Sequence, residues 1–335
     1  MNFRYLYTII PIITAAFIAG CKKPCPEKFV SLDRLVKEYN LNAEKVKTLW
    51  SRARLRITIT DEKGRSISWG STSPLAVPNG LLCLEKLPAD SLGRYPPDQK
   101  DRKINFVLIG REMSELFRIG IDAKNGLYYL WFNVGKSAGA WFGRCKYAGA
   151  PNVRAMPIDP IQLVEILSIT MLPPPEPNTL PAVVMTLEND PCAYVVRYLA
   201  PQPITGHLKI WREVYFKWSD TEPRRPFRIK IYDTSGLCRV VADVKDYKPI
   251  RQGWEYPQNA PVIPTDIHIT WPAIPNIQPA SSIHMKLSEM TLQKRFNSKV
   301  FDFFSHLPSQ ITEPILIDEG IEKLRGKASL HGHNY

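Results

Sequence analysis

The sequence predicts a mainly β protein with a few helices, in which an antiparallel sheet forms the body of the chain. Apolar and polar residues alternate with a period of two in most runs after residue 54, which is typical of half-buried strands. Turn residues such as Asn-Gly separate neighbouring runs, and helical periodicity is limited to short stretches. A sheet must bury its apolar face, so we expect the helices to pack against it.

Composition limits the classes of protein to which the chain can belong. Of 335 residues, 23% are charged and 44% are hydrophobic, and both values are ordinary for globular proteins, which excludes global disorder. The 30 prolines follow no period, which excludes collagen. The formal net charge of +12 favours an anionic partner such as a lipid headgroup, a polysaccharide or a nucleic acid.

The N-terminus has the organisation of an export signal. Arg4 precedes a mostly apolar run over 5–18, which is shorter than the about 20 apolar residues that a membrane-spanning helix needs. The motif IAGC (18–21) resembles the lipobox of bacterial lipoproteins. This resemblance implies cleavage before Cys21 and acylation of its thiol, so membrane lipid is the first expected partner. An ordinary secretory signal and a short membrane anchor are the alternatives.

The same resemblance predicts where the mature chain resides. Residues 1–20 would be the signal peptide, and residues 21–30, which contain Lys and Pro, would be a lipid-anchored tether. Lys22 in the second place of the mature chain, instead of Asp, resembles enteric signals that sort lipoproteins to the outer membrane. The expected location is therefore the cell envelope, at the outer membrane facing the periplasm.

The remaining cysteines lie in a chain whose export would permit disulfides. Their odd number allows at most two bridges within the chain, and the pairing stays open. Scattered thiols in the core are the alternative. No CxxC or HExxH motif occurs, so we expect no metal site and no cofactor. The five are Cys25, Cys83, Cys145, Cys192 and Cys238.

Two short helices are predicted before the first strand. Ser31 can cap the first, and Asn42 can cap a second that carries Val46 and Trp50 on one face. After them the Asn125-Gly126 pair predicts a hairpin. The predicted strands cover 55–60, 104–108, 117–122, 127–134, 194–199, 208–218, 227–232, 238–244, 267–271 and 283–287.

A helix and a proline-rich crossover lie between the two series of strands. Asp159 can cap a helix that begins at Pro160. Prolines between 173 and 181 then stiffen the chain into an extended crossover. Whether this crossover separates two domains stays open. One domain over 31–305, followed by a tail over 306–335, is favoured because neither half has enough helix to cover its own sheet.

Four stretches resemble a known fold: KVKTLWSRARLRITIT (45–60), FRIGIDAKNGLYYLWF (117–132), WREVYFKWSDTEPRRPFRIKIYDTSG (211–236) and SIHMKLSEMTLQKRFNSKVFDFF (282–304). With the lipobox and the Asp-Pro helix, they resemble the LolA/LolB-like fold of lipoprotein carriers, an open antiparallel half-barrel closed by helices. The resemblance implies binding of lipid or lipoprotein acyl chains in an apolar concavity. This chain is longer than a typical carrier and has its own proline-rich stretches.

Apolar residues that share strand parity are the candidate lining of that concavity. Packing beneath helices as ordinary core is the alternative for each of them. Pro249–Pro279 is expected to form an irregular flap near its mouth, because its prolines forbid a central strand over most of its length, and its aromatic residues are Trp254, Tyr256 and Trp271. The lining candidates are Leu55, Ile57, Phe106, Leu108, Phe117, Ile119, Trp131, Ile210, Phe216, Ile229, Ile231, Met285 and Leu287.

The catalytic motifs lack the context that an enzyme needs, so no enzyme is predicted. GKSAG (135–139) matches the nucleophile elbow of hydrolases, but an aromatic run follows it where the motif requires a helix. Basic and aromatic residues mix over 209–228, yet export argues against a nucleic-acid partner. Two alternatives to a carrier stay open: a structural or assembly lipoprotein that binds another envelope protein through the same fold, and an envelope hydrolase.

Overall fold

A computed structural model describes residues 25, 29–59, 75–87, 104–134, 137–150, 153, 156–202, 206–218, 224–275, 280–292, 295–319 and 321. The predicted signal peptide and Cys21 lie outside these residues. Among them, no helix is long and apolar enough to cross a membrane. The helices are α1 (Leu32–Lys45) and α2 (Pro160–Ile166). The strands are β1 (Thr48–Ile59), β2 (Leu75–Lys86), β3 (Ile104–Arg111), β4 (Glu115–Asp122), β5 (Leu127–Val134), β6 (Ser137–Arg144), β7 (Ala182–Asn189), β8 (Cys192–Pro201), β9 (Leu208–Lys217), β10 (Pro226–Tyr232), β11 (Cys238–Pro249), β12 (Arg251–Gln252), β13 (Val262–Trp271), β14 (Ser281–Leu292) and β15 (Ile315–Leu316).

The strands of both series belong to one open sheet. Its order is β15-β6-β5-β4-β3-β2-β1-β14-β13-β11-β10-β9-β8-β7, with β12 beside β14. Neighbouring strands are antiparallel except at β15–β6 and β12–β14. The terminal strands β7 and β15 do not pair with each other, so the sheet is not closed. The predicted class, a mainly β protein with an open antiparallel sheet, is confirmed.

The sheet curves around α2. This helix contacts β4 and β5, and it also bonds to the distant strands β13, through Gln162, and β9, through Glu165. β4 and β9 are eight strand positions apart, about 38 Å in a flat sheet. A seven-residue helix is only about 10 Å long, so it reaches both strands only if the sheet bends around it. We call the enclosed surface the concave face and the opposite one the convex face.

Helix α1 begins where the sequence predicts but continues further. The Arg34 amide donates to Ser31 Oγ at 3.4 Å, which is the predicted cap. The helix then continues to Lys45, so the prediction of a second helix capped by Asn42 is wrong. Asn42 instead bonds to β13: its Nδ2 donates to Val262 O at 2.8 Å, and Val262 N donates to its Oδ1 at 2.9 Å.

Helix α2 has the start predicted for it. Pro160 occupies the first turn, and Ile161 N donates to Asp159 Oδ1 at 2.8 Å. Its apolar residues Leu163 and Ile166 join the same core as Leu35 and Val36 of α1. The two helices therefore cover one continuous apolar surface on the concave face.

The C-terminal residues cover part of the convex face. Phe301, Phe303 and Ile311 are buried against it, and Arg118 Nη1 donates to Val300 O at 2.7 Å. Strand β15 then pairs with β6, and Ile317 is buried in the main core. The folded domain therefore extends beyond residue 305, where the sequence predicts a tail to begin.

One disulfide joins the N-terminal segment to the sheet. Cys25 and Cys192 are bonded, which ties the residues before α1 to the start of β8. Cys83 and Cys145 are buried thiols, and Cys238 is half-buried. The pairing left open by the sequence thus involves the two cysteines that are 167 residues apart.

Removing this bridge is expected to lower the free energy of unfolding by about 2 kcal/mol, because a cross-link restricts the unfolded chain. The value is at the low end for such bridges, since Cys25 precedes the first helix. Urea unfolding of the Cys25→Ser, Cys192→Ser double variant measures the change. Cys238→Ser, which breaks no bridge, is the control, and equal midpoints for the two variants would contradict the expectation.

Candidate functional site

Eleven of the thirteen predicted lining residues lie in the main core on the concave face. Their side chains pack against each other and against the helices, as in the alternative interpretation that they are core residues. The structure therefore brings them together but fills the space between them with the protein's own side chains. The eleven are Leu55, Ile57, Phe106, Leu108, Phe117, Ile119, Phe216, Ile229, Ile231, Met285 and Leu287.

Trp131 lies on the other face, so its predicted placement is wrong. Strand β5 is apolar on both sides, and Leu130 and Phe132 occupy the concave side. Trp131 packs with Phe303 and Ile311 on the convex side. Strand parity does not show which side of β5 faces the concave core when both sides are apolar. The C-terminal segment that buries the convex side is distant in sequence.

Ile210 also differs from its predicted placement. A register shift between Tyr198 and Leu199 pairs Leu199 with Ile210 and Tyr198 with Arg212. Such an irregularity changes which side chains face the core. Trp211, not Ile210, packs against the core, with its ring 6.2 Å from that of Tyr198.

The predicted flap over Pro249–Pro279 is only partly irregular. Residues 262–271 form the inner strand β13, which contains Pro264. Tyr247 of β11 lies opposite this proline, and Thr265 Oγ1 donates to the carbonyl oxygen of Asp246, whose φ is 56°. Pro264 lies outside the part of β13 that pairs with β14, which runs from Asp266 to Trp271, so its missing N–H interrupts no bond to that strand. Residues 276–279 lie outside the described part of the chain.

The three aromatic residues of this segment have different environments. Trp271 is 1% exposed and belongs to the core, so its assignment to a flap is wrong. Its Nε1 donates to Gln162 Oε1 of α2 at 2.8 Å. Trp254 is 96% exposed, and Tyr256 is exposed beside it, on the loop between β12 and β13.

A polar cluster interrupts the apolar concave face beneath the helices. Arg212 of β9 is 2% exposed, and its Nη2 donates to Glu165 O of α2 at 2.9 Å. The guanidinium also interacts with the buried Tyr39 hydroxyl of α1, and within the described chain its Nε makes no hydrogen bond. The neighbouring Tyr198 hydroxyl also has none. Burial raises the pKa of Tyr198, so it stays a neutral phenol.

These groups destabilise the arrangement in which the helices cover the concave face. A buried donor without a partner costs about 1–3 kcal/mol, and more when it carries a charge. Arg212 was not predicted, because the basic residues of 209–228 were considered as a possible nucleic-acid surface. Arg212 nevertheless shares its parity with Val214 and Phe216, which point to the core, and this was the available signal.

Side-chain hydrogen bonds hold both helices in place, and those of Asn42 in α1 are described above. Helix α2 is joined to the sheet by the bonds of Gln162 and Glu165 described above. The segment after α2 is joined to α1 by Asn40, which donates to Leu172 O at 2.8 Å and accepts from Leu172 N at 2.7 Å. Ser168 Oγ, in the same segment, also lies 3.4 Å from Tyr247 Oη of β11.

A cavity of about 420 Å³ lies on the convex face, away from the predicted apolar lining. Asp243, Lys245, Asp266, His268 and His284 contribute to its wall. His284 Nε2 lies 2.8 Å from Asp266 Oδ1. Phe227 and Val244 also line it, so the wall combines apolar and charged side chains. In the described chain, no group of three metal-ligating side chains could hold a metal ion.

Ser137 of the GKSAG motif lies at the start of β6. This strand pairs with β5 from Val134↔Ser137 onward, so the two strands form a hairpin. A nucleophile elbow requires a helix in that place. Residues 135–136 lie outside the described chain.

Comparisons with known proteins find similarity among solved structures. No family model matches the chain, and no curated protein sequence does. A DUF1329 family protein from Desulfovibrio piger is 11% identical, with a TM-score of 0.42 over 82% of this chain and 98% of that one. A LolA superfamily protein from Nitrosomonas europaea is 10% identical, with a TM-score of 0.40 over 82% and 98%.

A third similar structure is an outer membrane lipoprotein-sorting protein domain from Vibrio parahaemolyticus. It is 10% identical, with a TM-score of 0.40 over 80% of this chain and 95% of that one.

Proposed function

We propose that the chain is an envelope lipoprotein, anchored through an acylated Cys21, that binds acyl chains of a lipid or lipoprotein on its concave face. The observation that carries this proposal is the buried polar cluster of Arg212 and Tyr198 within an apolar surface. An acyl ligand has an apolar tail and an oxygen-rich head. The concave face offers a matching surface for each part.

Displacement of α2 would expose both parts of this surface. The apolar side chains would then accept the tail, at about 0.8 kcal/mol for each buried methylene. The Arg212 guanidinium and the Tyr198 hydroxyl would donate to a carboxylate, ester or amide oxygen of the head. Binding would thereby relieve the cost of the unpartnered donors in the closed protein.

The cysteines support placement outside the cytoplasm. A disulfide such as Cys25–Cys192 forms and persists in oxidising compartments, including the bacterial periplasm. This agrees with the export signal and with the resemblance to a lipobox. The proposed location is the outer membrane, facing the periplasm.

The Arg212→Met variant tests the proposal. Methionine keeps an unbranched, apolar side chain of similar length, so the variant is expected to fold. Its affinity for a fluorescent fatty acid is expected to fall about tenfold or more, because a hydrogen bond from a charged donor is lost. Arg54→Met, which changes an exposed arginine of β1, is the control and should bind as the original chain does.

Native mass spectrometry of protein taken from its own envelope completes this test. A co-purifying lipid is expected in the original chain and less of it in Arg212→Met. Absence of lipid, together with equal affinities for the two arginine variants, would contradict acyl binding.

A second candidate function is assembly with another envelope protein. The packed core of the concave face favours it, and so does the unpaired edge of β7, where Val184 and Leu187 are exposed. Such an edge can accept a strand from a partner. Protein that stays at the membrane without bound lipid would favour this candidate over the first.

A further inference from the structure

Three exposed aromatic side chains lie at one end of the sheet. This end, where β8 begins and β11 ends, is crossed by α1 and is called here the α1 end. The ring of Phe29, just before α1, lies 5.3 Å from that of Trp218 and is tilted by 43°. At the other end of the helix, Lys45 Nζ donates to Asn259 O at 3.4 Å in the loop between β12 and β13. The exposed apolar residues of the α1 end are Phe29, Leu41, Trp254 and Tyr256.

The disulfide brings the predicted lipid anchor to the same end. Cys192 is the first residue of β8, so its bond fixes Cys25 at the α1 end. Cys21 lies four residues before Cys25, which limits their separation to about 14 Å. Helix α1, with 14 residues, extends about 21 Å from there to the loop that carries Trp254. These lengths allow the acyl chains and the aromatic loop to enter one membrane surface.

We propose that the α1 end lies against the bilayer, with Trp254 and Tyr256 inserted among the lipid headgroups. This inference rests on the acylation of Cys21 in the proposed function. Tryptophan and tyrosine combine an apolar ring with a polar group, which suits the boundary between headgroups and acyl chains. Arg251 Nε donates to Tyr256 Oη at 2.8 Å, with its guanidinium 5.2 Å from the ring, and this holds the tyrosine beside a cation.

The charge of the α1 end favours an anionic bilayer, but only modestly. Residues 32–47 and 248–261 together contain six basic and four acidic side chains. A basic residue near an anionic membrane contributes about 1 kcal/mol, and the acidic residues offset much of that sum. The aromatic residues are therefore the main contributors to binding, and lipid charge adds a smaller part.

Vesicle flotation of the unacylated Cys21→Ser chain tests the inference. Vesicles of phosphatidylethanolamine and phosphatidylglycerol are the probe. Adding Trp254→Ala and Tyr256→Ala is expected to weaken binding about tenfold, because two aromatic side chains no longer leave water. The control is Met113→Ala, at a fully exposed methionine in the turn between β3 and β4, at the opposite end of the sheet. An equal loss in the control, or no loss in either variant, would overturn the inference.

A second measurement uses the acylated protein in vesicles whose lipids carry brominated acyl chains. Bromine quenches indole fluorescence at short range, so we expect Trp254→Phe to remove most of the quenched signal. An unchanged quenched fraction would overturn the proposed orientation even if the unacylated chain folds poorly. Fatty-acid binding in solution, without vesicles, should be equal for Trp254→Ala and the original chain. This measurement therefore tests acyl binding independently of the proposed orientation at the membrane. Intact mass reports acylation of Cys21 independently.

Discussion

Replacing Trp271 with alanine is expected to lower the free energy of unfolding by about 3–5 kcal/mol, the usual cost of removing a buried tryptophan. The indole is 1% exposed and lies between β13 and α2. Its removal leaves a cavity in the main core, and it leaves Gln162 without the donor that now bonds to its side-chain oxygen. Urea unfolding followed by circular dichroism measures the change, with a lower midpoint and an unchanged slope expected.

Trp254→Ala is the matched control for this prediction. Trp254 is 96% exposed, so its removal should change the free energy of unfolding by no more than about 0.5 kcal/mol. Both tryptophans come from the segment that the sequence predicts to be a flap. Equal losses in the two variants would mean that the position of Trp271 beneath α2 is incorrect.

Local signals in the sequence predicted local structure well. The caps at Ser31 and Asp159 depend on atoms within three residues of each other. The Asn125-Gly126 turn joins β4 to β5, with Gly126 at a φ of 66° and Asn125 N bonded to Asp122 Oδ1. Such contacts form between residues that are close in sequence, so they do not depend on the rest of the fold. This is why the helix starts and this hairpin are correct.

Features that depend on distant parts of the chain could not be predicted in this way. The burial of Trp131 on the convex face depends on Phe303 and Ile311, which are more than 170 residues away. The placement of Ile210 depends on a register shift against β8. Strand β1 lies beside β14, and no local pattern specifies that neighbour. A period of two predicts strands, but not their partners or which face is covered.

In the candidate site, too, local features were predicted and features that depend on distant residues were not. The sequence identified eleven residues of the concave face, because apolar side chains at alternate positions share a face. It did not identify the cluster of Arg212 and Tyr198, which forms only when β8, β9 and α2 come together. An arginine that shares strand parity with apolar residues is a signal for such a cluster, but its neighbours on β8 and α2 depend on contacts between distant parts of the chain.

Glu213→Gln is expected to lower the free energy of unfolding by about 3 kcal/mol at pH 7, because it breaks a buried ion pair. Glu213 of β9 is 4% exposed. Its Oε1 accepts from Arg197 Nε at 2.7 Å, and its Oε2 accepts from Tyr232 Oη at 2.7 Å and Tyr215 Oη at 2.9 Å. A glutamine amide would place N–H donors against groups that are themselves donors. Arg197 is 24% exposed, so water limits the loss to the lower part of the range for buried pairs.

The effect of this substitution should depend on pH. Burial alone would raise the pKa of Glu213, but the hydrogen bonds from Tyr232, Arg197 and Tyr215 outweigh burial and hold the pKa below its usual value. A carboxyl with a lowered pKa in the folded state stabilises the protein above its unfolded pKa of about 4.3. That contribution is lost as the pH falls through the folded pKa. The difference in stability between the original chain and Glu213→Gln should therefore be full at pH 7 and shrink below about pH 4.

Glu188→Gln separates the effect of burial from the effect of charge. Glu188 bonds to the same Arg197, at 3.3 Å, but it is more exposed than Glu213. Exposed ion pairs contribute at most about 1 kcal/mol, so Glu188→Gln should cost less than that at any pH. Chemical unfolding of the three proteins between pH 3 and about pH 8 measures both differences. A loss in Glu213→Gln that stays constant over this range would show that altered packing, and not the ionised carboxylate, accounts for it.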